Sequence, residues 1–222
     1  MHIFFNWCSG LLIFLGYSSR ASKWISKQRK LPFNDFYVFK RVYNDRLKLF
    51  EHVIETEKLK AFDYLEFGVS TGHSFKWWVK RIKDPGARFF GFDTFTGLPE
   101  DWGPYKKGDM SSGNAFPDVN KDPRASFIQG LFQQTLPGFL NKTDLKNRMV
   151  VHIDADLYSS TLFVLTSIHP FLKSGDIILF DEFNVPVHEF KAWSDYVESY
   201  YVKYEVLGAV NNFLQVGIKI KK

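Results

Sequence analysis

The sequence predicts an α/β domain built on a doubly wound, mostly parallel sheet, with helices on both faces and an antiparallel C-terminal hairpin strand. Two observations predict this class. Short apolar runs alternate along the chain with longer segments of helical periodicity, which is the pattern of strand–helix repeats. Near the C-terminus two apolar runs follow each other directly, separated only by Asn211-Asn212, which is a two-residue hairpin signal.

The predicted helices are the segments in which apolar residues recur on one helical face. In the first of them, Phe39, Val42 and Leu49 share a face. Asn34 or Asp35 is placed to cap its start. The five predicted helices are residues 37–57, 74–82, 133–140, 159–172 and 188–201.

The predicted strands are short apolar runs with turn or polar residues at both ends, as expected for buried strands of a parallel sheet. They are residues 61–67, 88–92, 127–129, 149–153, 177–180, 204–210 and 213–220. Residues 94–125 are different, because they contain four prolines and four glycines and have little periodicity. A stretch of this length without regular structure is typical of a loop that covers an active site or of a disordered loop.

The composition favours a folded protein whose main body is electrically neutral. Apolar residues make up 45% of the 222 residues, which suffices for a sizeable core. Cys8 is the single cysteine, which excludes a disulfide framework and is typical of a cytoplasmic protein. All of the net charge of +5 lies in the first 34 residues, so the body lacks the basic excess of a nucleic-acid-binding domain.

Residues 1–33 form a segment distinct from the domain predicted for residues 34–222. Its apolar part, residues 3–17, is shorter than the ~20 residues of a membrane span and precedes a basic cluster. A secretory signal has the opposite order, with basic residues first. The segment is therefore interpreted either as an anchor at a membrane surface or as a helix packed on the body or on a second subunit. Packing is favoured, and with it a homo-oligomer.

A glycine turn follows the first predicted strand. In Glu66-Phe-Gly68-Val-Ser-Thr-Gly72-His-Ser74, Gly68 allows a tight turn, Gly72 allows close approach of a ligand, and Ser74 can cap a helix. The next strand ends at Asp93, where a carboxylate is placed to accept hydrogen bonds from ribose hydroxyls. Together these features predict a cofactor of the adenosine type.

Four acidic residues follow two neighbouring strands of the predicted sheet. Asp154 and Asp156 come after one apolar run, and Asp181 and Glu182 come after the next. Because the carboxyl ends of parallel strands meet at one edge of a sheet, these side chains are expected to converge. Carboxylates that converge repel one another unless a cation lies among them, and oxygen ligands suit Mg²⁺, Mn²⁺ or Ca²⁺.

Five ordered motifs give the chain a family resemblance over residues 37–222. They are Glu-x-Gly-x-x-x-Gly-x-Ser (66–74), Gly-Phe-Asp-Thr-Phe-x-Gly-Leu-Pro (91–99), Gly-x-Phe-x-x-Thr-Leu-Pro (130–137), Ile-Asp-x-Asp-x-Tyr-x-Ser-Thr (153–161) and Phe-Asp-Glu-Phe (180–183). In this order they resemble the macrocin O-methyltransferase family of class I S-adenosylmethionine (SAM) methyltransferases, which have a Rossmann-like fold. The family commonly has Arg-Gly-Gly where this chain has Ser70-Thr71-Gly72, and an aspartate where it has Glu182.

The resemblance implies a role for each matching residue. Contacts with SAM are implied for Glu66, Gly68, Ser70, Gly72, Ser74, Asp93, Thr94 and Gln129, with residues 127–129 beside the adenine. Asp154, Asp181 and Glu182 are implied as ligands of Mg²⁺ or another divalent ion. The expected acceptor is a hydroxyl group of a sugar or of a glycosylated small molecule.

The expected reaction is methyl transfer assisted by a metal ion and a base. A divalent ion bound to the acceptor lowers the pKa of its hydroxyl, and a nearby base takes the proton. Asp154 and Asp156 are the catalytic candidates, with Asp156 as the first choice of base and His152 or His73 as weaker ones. The alternatives are a nicotinamide-dependent oxidoreductase and a SAM-binding scaffold, attached to a membrane surface, that has no activity.

Overall fold

The computed structural model describes residues 8–221 and confirms the predicted fold class. One seven-stranded sheet runs in the order β3-β2-β1-β4-β5-β7-β6. Its strands are β1 (Phe62–Phe67), β2 (Arg88–Asp93), β3 (Ala125–Gln129), β4 (Arg148–Ile153), β5 (Ile177–Phe180), β6 (Lys203–Val210) and β7 (Gln215–Lys221). Neighbouring strands from β3 to β5 pair in parallel, and β7 pairs antiparallel with both β5 and β6.

In the described residues, six α-helices cover the two faces of the sheet. They are α1 (Ser9–Gln28), α2 (Arg46–Glu57), α3 (His73–Arg81), α4 (Phe132–Lys142), α5 (Tyr158–Ile168) and α6 (Glu189–Tyr200). The buried residues of α2 and α3 form one hydrophobic core with their face of the sheet, and those of α1, α4, α5 and α6 form the other. The centre of the sheet is thus buried on both faces, which explains why its strands are mostly apolar in the sequence.

The order of the strands reverses between β1 and β4, which is where open α/β sheets bind ligands. Backbone hydrogen bonds continue past the strand ends here: Gly68 N donates to Phe92 O, Asp154 N to Phe67 O, and Asp181 N to Ile153 O. The residues that follow β1, β2, β4 and β5 are therefore held side by side at one edge of the sheet.

The helix predicted for residues 37–57 is wrong over its first nine residues. The α-helix begins only at Arg46, after a 3-10 turn at Tyr43–Asp45. Residues 38 and 42 instead donate their backbone N–H groups to the side chains of Asn212 and Asn211. These hydrogen bonds bind the segment to the β6–β7 loop, and the exposed Phe39 takes no part in the core.

The C-terminal hairpin has a four-residue loop and not the predicted two-residue turn. Val210 pairs with Gln215, so residues 211–214 form the connection. Asn211, Asn212 and Phe213 all have positive φ, which asparagine adopts more readily than most residues. The asparagine pair therefore does mark the turn, but the following strand begins two residues later than its apolar run.

Helix α1 contains three of the five basic residues of the N-terminal segment, and its second half packs on the body. Tyr17 donates a hydrogen bond to Asp195 of α6 (2.8 Å), and Trp24 donates one to Tyr204 of β6 (2.8 Å). Ala21 lies between them and is buried. Across residues 8–221, the helices are all too short or too polar to cross a membrane. Residues 1–7, which include the start of the predicted apolar stretch, lie outside the described part.

Candidate active site

A cavity of about 420 Å³ opens at the edge of the sheet where β1, β2 and β4 end. Its volume lies within the range of small-molecule binding sites. One wall comes from the long loop between β2 and β3, through Gly97, Leu98, Pro99, Trp102, Tyr105 and Met110. The loop predicted from its proline and glycine content thus shapes the cavity.

At Gly68 the glycine turn passes very close to Asp154, the residue that follows β4. It has a φ of +94°, and a Cβ atom built on it would lie 1.7 Å from the carbonyl oxygen of Asp154. The position therefore requires glycine for the packing of two chain segments as well as for the turn. The turn then presents Ser70 and Thr71 to the cavity, together with His73 and Ser74 at the start of α3.

Three residues predicted to contact the cofactor do not line this cavity in the structure. Glu66 is fully buried behind Ser74, which donates a hydrogen bond to it, and it also accepts one from Tyr64. The side chain of Pro117 packs against Gly72. A Cβ atom built on Gly72 would lie only 2.5 Å from the Cβ of Pro117, so no space for a ligand remains there. Gln129 is exposed and donates hydrogen bonds to Thr94 O and Asn114 Oδ1. These three residues could make their predicted contacts with the cofactor only if the groups that now cover or bind them moved.

Asp93 lines the cavity at the end of β2, and its carboxylate organises the surrounding loops. One oxygen accepts a hydrogen bond from Ser70 N (2.7 Å), and the other accepts one from Phe95 N (2.6 Å). Each carboxylate oxygen has more than one acceptor position, so the group retains capacity for a ligand hydroxyl. Thr94 also lines the cavity, beside Asp93.

The four predicted acids do converge, but they differ in access to the cavity. Asp154, Asp156 and Glu182 line it. Asp181 is fully buried behind them and does not line it. Sequence reasoning therefore identified the cluster correctly but could not distinguish the acid that is sealed from solvent.

Arg46 provides a positive charge inside this acidic cluster. Its Nη1 atom lies 3.1 Å from both carboxylate oxygens of Asp181 and 3.4 Å from Asp154 Oδ2. The same atom donates a hydrogen bond to Tyr43 (2.7 Å), whose hydroxyl donates to Asp181 (2.6 Å). Arg46 is only 3% exposed, so the ion pair with Asp181 is screened very little by solvent.

His152 supplies a second positive charge beneath the cavity. Burial alone would lower the pKa of His152, but the carboxylates of Asp181 and Glu66 raise it to about 9. Burial likewise favours neutral Asp181, but His152 and Arg46 outweigh it and lower the pKa of Asp181 to about 2. For Asp154, burial and the charge of Asp181 raise the pKa well above its usual range. His152 does not line the cavity, which argues against its role as a base.

Asp156 has both the position and the pKa expected of a base. It has a φ of +58°, an unusual conformation for a residue other than glycine, and its side chain reaches the cavity. Burial, with smaller contributions from Asp181 and Asp93, raises the pKa of Asp156 to about 7. Helix α5 is capped by Leu157 and begins at Tyr158, so Asp156 is not its N-cap. His73 also lines the cavity, and burial lowers its pKa.

The acidic cluster has the donor chemistry of a divalent-ion site. Ligand atoms of His152, Asp154 and Asp181 lie within 4.8 Å of one another, and Glu182 is at the adjacent cavity wall. Burial, followed by repulsion from Asp181 and Asp156, raises the pKa of Glu182 to about 7, and a cation would reverse this effect. The set fits a hard cation, but both oxygens of Asp181 already contact Arg46.

Several residues that line the cavity were not predicted from the sequence. They are Tyr43 and Arg46 before and in α2, Trp102 and Tyr105 in the loop, and Leu131, Phe132 and Gln133 at the start of α4. One signal for Arg46 exists, because it shares a helical face with Leu49, Phe50 and Val53. An arginine on an otherwise apolar face must be paired when buried. The loop aromatics carry no comparable signal.

Comparison with solved structures shows the same fold in several methyltransferases. The calicheamicin methyltransferase CalS11 matches with a TM-score of 0.66 and 19% identity, covering 92% of this chain and 91% of its own. The O-methyltransferase NovP matches with a TM-score of 0.59 and 20% identity, over 81% and 79% of the two chains. An O-methyltransferase from Bacillus cereus, in complex with SAH, matches with a TM-score of 0.57 and 16% identity, covering 93% of this chain and 91% of its own.

The sequence itself matches a family model described as a methyltransferase domain over residues 65–183, which is more than half of the chain. Among curated proteins, none matches the sequence. The matched region runs from β1 through the acids that follow β5, so it includes the glycine turn, Asp93 and the acidic cluster. The chain therefore belongs to the methyltransferase-domain family, and it is a class I SAM-dependent methyltransferase.

Proposed function

We propose that this protein transfers the methyl group of SAM to a hydroxyl group of a sugar or a glycosylated small molecule. One observation carries the proposal: the residues of the glycine turn, Asp93, and three acids at the ends of β4 and β5 line a single cavity. A cofactor bound at the turn would therefore present its methyl group toward carboxylates that can receive a proton.

The cofactor side of the cavity suits SAM in both its charge and its polarity. Asp93 would accept hydrogen bonds from the ribose hydroxyls, and Ser70 and Thr71 would face the amino-acid part of the cofactor. The main chain at Leu131 and Phe132 follows β3, where an adenine ring would rest against apolar side chains. Nearby carboxylates also stabilise the positive sulfonium centre.

Methyl transfer would proceed by in-line displacement. The acceptor oxygen attacks the methyl carbon, a new C–O bond forms, and the C–S electron pair returns to sulfur to leave a neutral thioether. The hydroxyl proton passes to Asp156, which must be ionised beforehand. Most of the rate enhancement comes from holding the oxygen in line with the C–S bond at near-contact distance.

We also propose that a divalent ion assists the reaction, and the carboxylate donors of the acidic cluster support this. The ion would be held by Asp154, Asp181 and Glu182. Arg46 would then either move away from Asp181 or share the Asp181 carboxylate with the ion. When bound, a divalent ion lowers the pKa of a coordinated hydroxyl. Without the ion, Arg46 is the positive charge nearest to Asp154 and Asp181 at this end of the cavity.

The acceptor class is supported by the aromatic wall and by the structural neighbours. Trp102 and Tyr105 stack with ring centroids 5.4 Å apart and line the cavity opposite the strand ends. Such a wall offers an apolar surface to the C–H face of a sugar ring. The apo structure of CalS11 is that of a TDP-rhamnose 3'-O-methyltransferase, an enzyme of calicheamicin biosynthesis.

The test is a transfer assay with SAM labelled on its methyl group, run against nucleotide sugars, glycosides and catechols, with and without EDTA. We expect labelled product with a sugar hydroxyl, and its loss in Asp156→Asn. Asp118→Asn, an exposed acid of the long loop, is the matched control and should keep full activity. Transfer to catechols alone would refute the sugar acceptor, and SAM binding without any transfer would favour the inactive scaffold.

A further inference from the structure

The first half of α1 exposes apolar side chains on every side of the helix. Leu11, Leu12, Ile13, Phe14 and Leu15 are each between 47% and 60% exposed. Successive helical residues are turned by about 100°, so five in a row cover the whole circumference. No side of this half of the helix is therefore covered by the part of the chain that the structure describes.

The second half of the same helix is firmly attached. Beyond the hydrogen bonds of Tyr17 and Trp24, the Trp24 ring packs on Phe183 with centroids 4.8 Å apart. Arg20 pairs with Glu198 of α6. A helix held along residues 17–25 and uncovered along residues 11–15 projects from the body as an apolar tip.

The exposure of this tip on all sides indicates what covers it. A second protein chain lying against a helix covers one side of it, whereas lipid surrounds it completely. The described part of the tip, from Ser9 to Leu15, spans about 10 Å. This length is close to the depth of roughly 5–10 Å to which interfacial helices are buried, so the described part matches insertion into one leaflet.

The charges beyond the tip are complementary to an anionic surface. Lys23, Lys27, Arg29 and Lys30 are exposed, and residues 8–34 contain no acidic residue. The segment 36–41 lies beside α1, where the two share a surface cavity. It contributes Lys40 and Arg41 and also Phe39, which is 98% exposed. Basic and aromatic side chains are those favoured at lipid headgroups.

We propose that residues 9–15 insert into one leaflet of an anionic membrane, with Lys23, Lys40 and Arg41 on the side of the body that faces its headgroups and the more distant basic residues adding long-range attraction. The methyltransferase domain is thereby tethered to the membrane surface through the attached half of α1. This inference rests on α1 and on segment 36–41, and it does not depend on the acceptor of the methyl group.

The test is co-sedimentation of the full-length chain with vesicles of phosphatidylcholine alone or with one-third phosphatidylglycerol. We expect pelleting with the anionic vesicles, weakened by high salt because charge attraction is screened. Leu12→Gln/Phe14→Gln should lower the partition coefficient by at least about tenfold. Ser19→Gln/Ser26→Gln changes two exposed polar positions of the same helix and should bind like the parent chain.

Three outcomes would overturn the proposal. The parent chain could remain in the supernatant with both kinds of vesicle, or the Leu12→Gln/Phe14→Gln variant could pellet as well as the parent. Light scattering could instead show a dimer that this variant splits, which would assign the tip to a second copy. A chain lacking residues 1–15 provides the independent check: it should keep the parent melting temperature and fail to pellet.

Discussion

Arg46→Met tests whether the cation inside the acidic cluster holds the site together. The substitution keeps an unbranched apolar stem and removes the charge from between Asp181, Asp154 and Tyr43. Asp181 is fully buried, so it would lose its closest positive partner without gaining water. Removing one member of a buried ion pair destabilises a protein by about 3–5 kcal/mol.

The size of this destabilisation can be measured by thermal unfolding in EDTA. For a domain of this size, 1 kcal/mol corresponds to about 2–4 °C, so the melting temperature should fall by roughly 6–20 °C. Arg81→Met is the matched control, because Arg81 pairs with Glu51 at the surface, where both partners are substantially exposed. Such a pair contributes about 0–1 kcal/mol, so the control should move by a few degrees at most.

A second substitution identifies the partner. Asp181→Asn removes the negative charge that Arg46 neutralises, so the Arg46→Met/Asp181→Asn variant should be less destabilised than the sum of the two single variants. Mg²⁺ should raise the melting temperature of Arg46→Met more than that of the parent chain, because the ion replaces the lost cation. Equal melting temperatures for Arg46→Met and Arg81→Met, or strict additivity in the double variant, would refute the role of Arg46 as counter-ion.

Three further changes test other parts of the structure. Gly68→Ala should destabilise the fold by about 3 kcal/mol or more, since its Cβ meets the Asp154 carbonyl, whereas Gly138→Ala in α4 should be neutral or slightly stabilising in the same melting assay. Asp93→Asn should weaken SAM binding by about 1.5–3 kcal/mol in a calorimetric titration, and unchanged affinity would exclude the ribose contact. Burial acts to raise the pKa of Glu57, but Lys219 and Arg148 outweigh it and lower the pKa, so this stabilisation is present above pH ~4.3 and lost as pH falls below it. The stability gap between the parent and Glu57→Gln, measured by urea unfolding, should therefore close in acid; a gap independent of pH would contradict this.

The central strands were predictable because they are buried on both faces. A strand in that position is largely apolar, so the runs that end at Phe67, Ile153 and Phe180 are visible without structural knowledge, although the first of them also contains the buried Asp63 and Glu66. The ends of those strands then place Asp154 and Asp181 at one edge of the sheet. The convergence of the acids follows from topology alone.

The remaining features depend on contacts between distant parts of the chain. Residues 37–42 have helical periodicity, but their backbone is held by asparagines about 170 residues away in the sequence. Periodicity reports which side chains could share a face, and it cannot anticipate such hydrogen bonds. The position of Gly68 is similar, because its close contact with Asp154 exists only once β1 and β4 are paired.

The burial of individual acids was also beyond sequence reasoning. Asp181 and Glu182 are adjacent, yet one is sealed against Arg46 and the other faces the cavity. Glu66 ends a strand just as the cofactor-binding pattern requires, but Tyr64 and Ser74 hold it behind the cavity. Which side chain reaches a ligand depends on neighbours at hydrogen-bonding distance, and these come from several elements.

The cavity at the ends of β1, β2 and β4 is expected to bind SAM. The most direct measurement is calorimetric titration of the full-length chain with SAM, with SAH as competitor and NADH as control. We predict saturable binding of SAM to one site per chain, displacement by SAH, loss of affinity in Asp93→Asn, and no heat with NADH. Binding of NADH without SAM, or SAM binding that is unchanged in Asp93→Asn and in Thr71→Trp, which would fill the cavity, would contradict it.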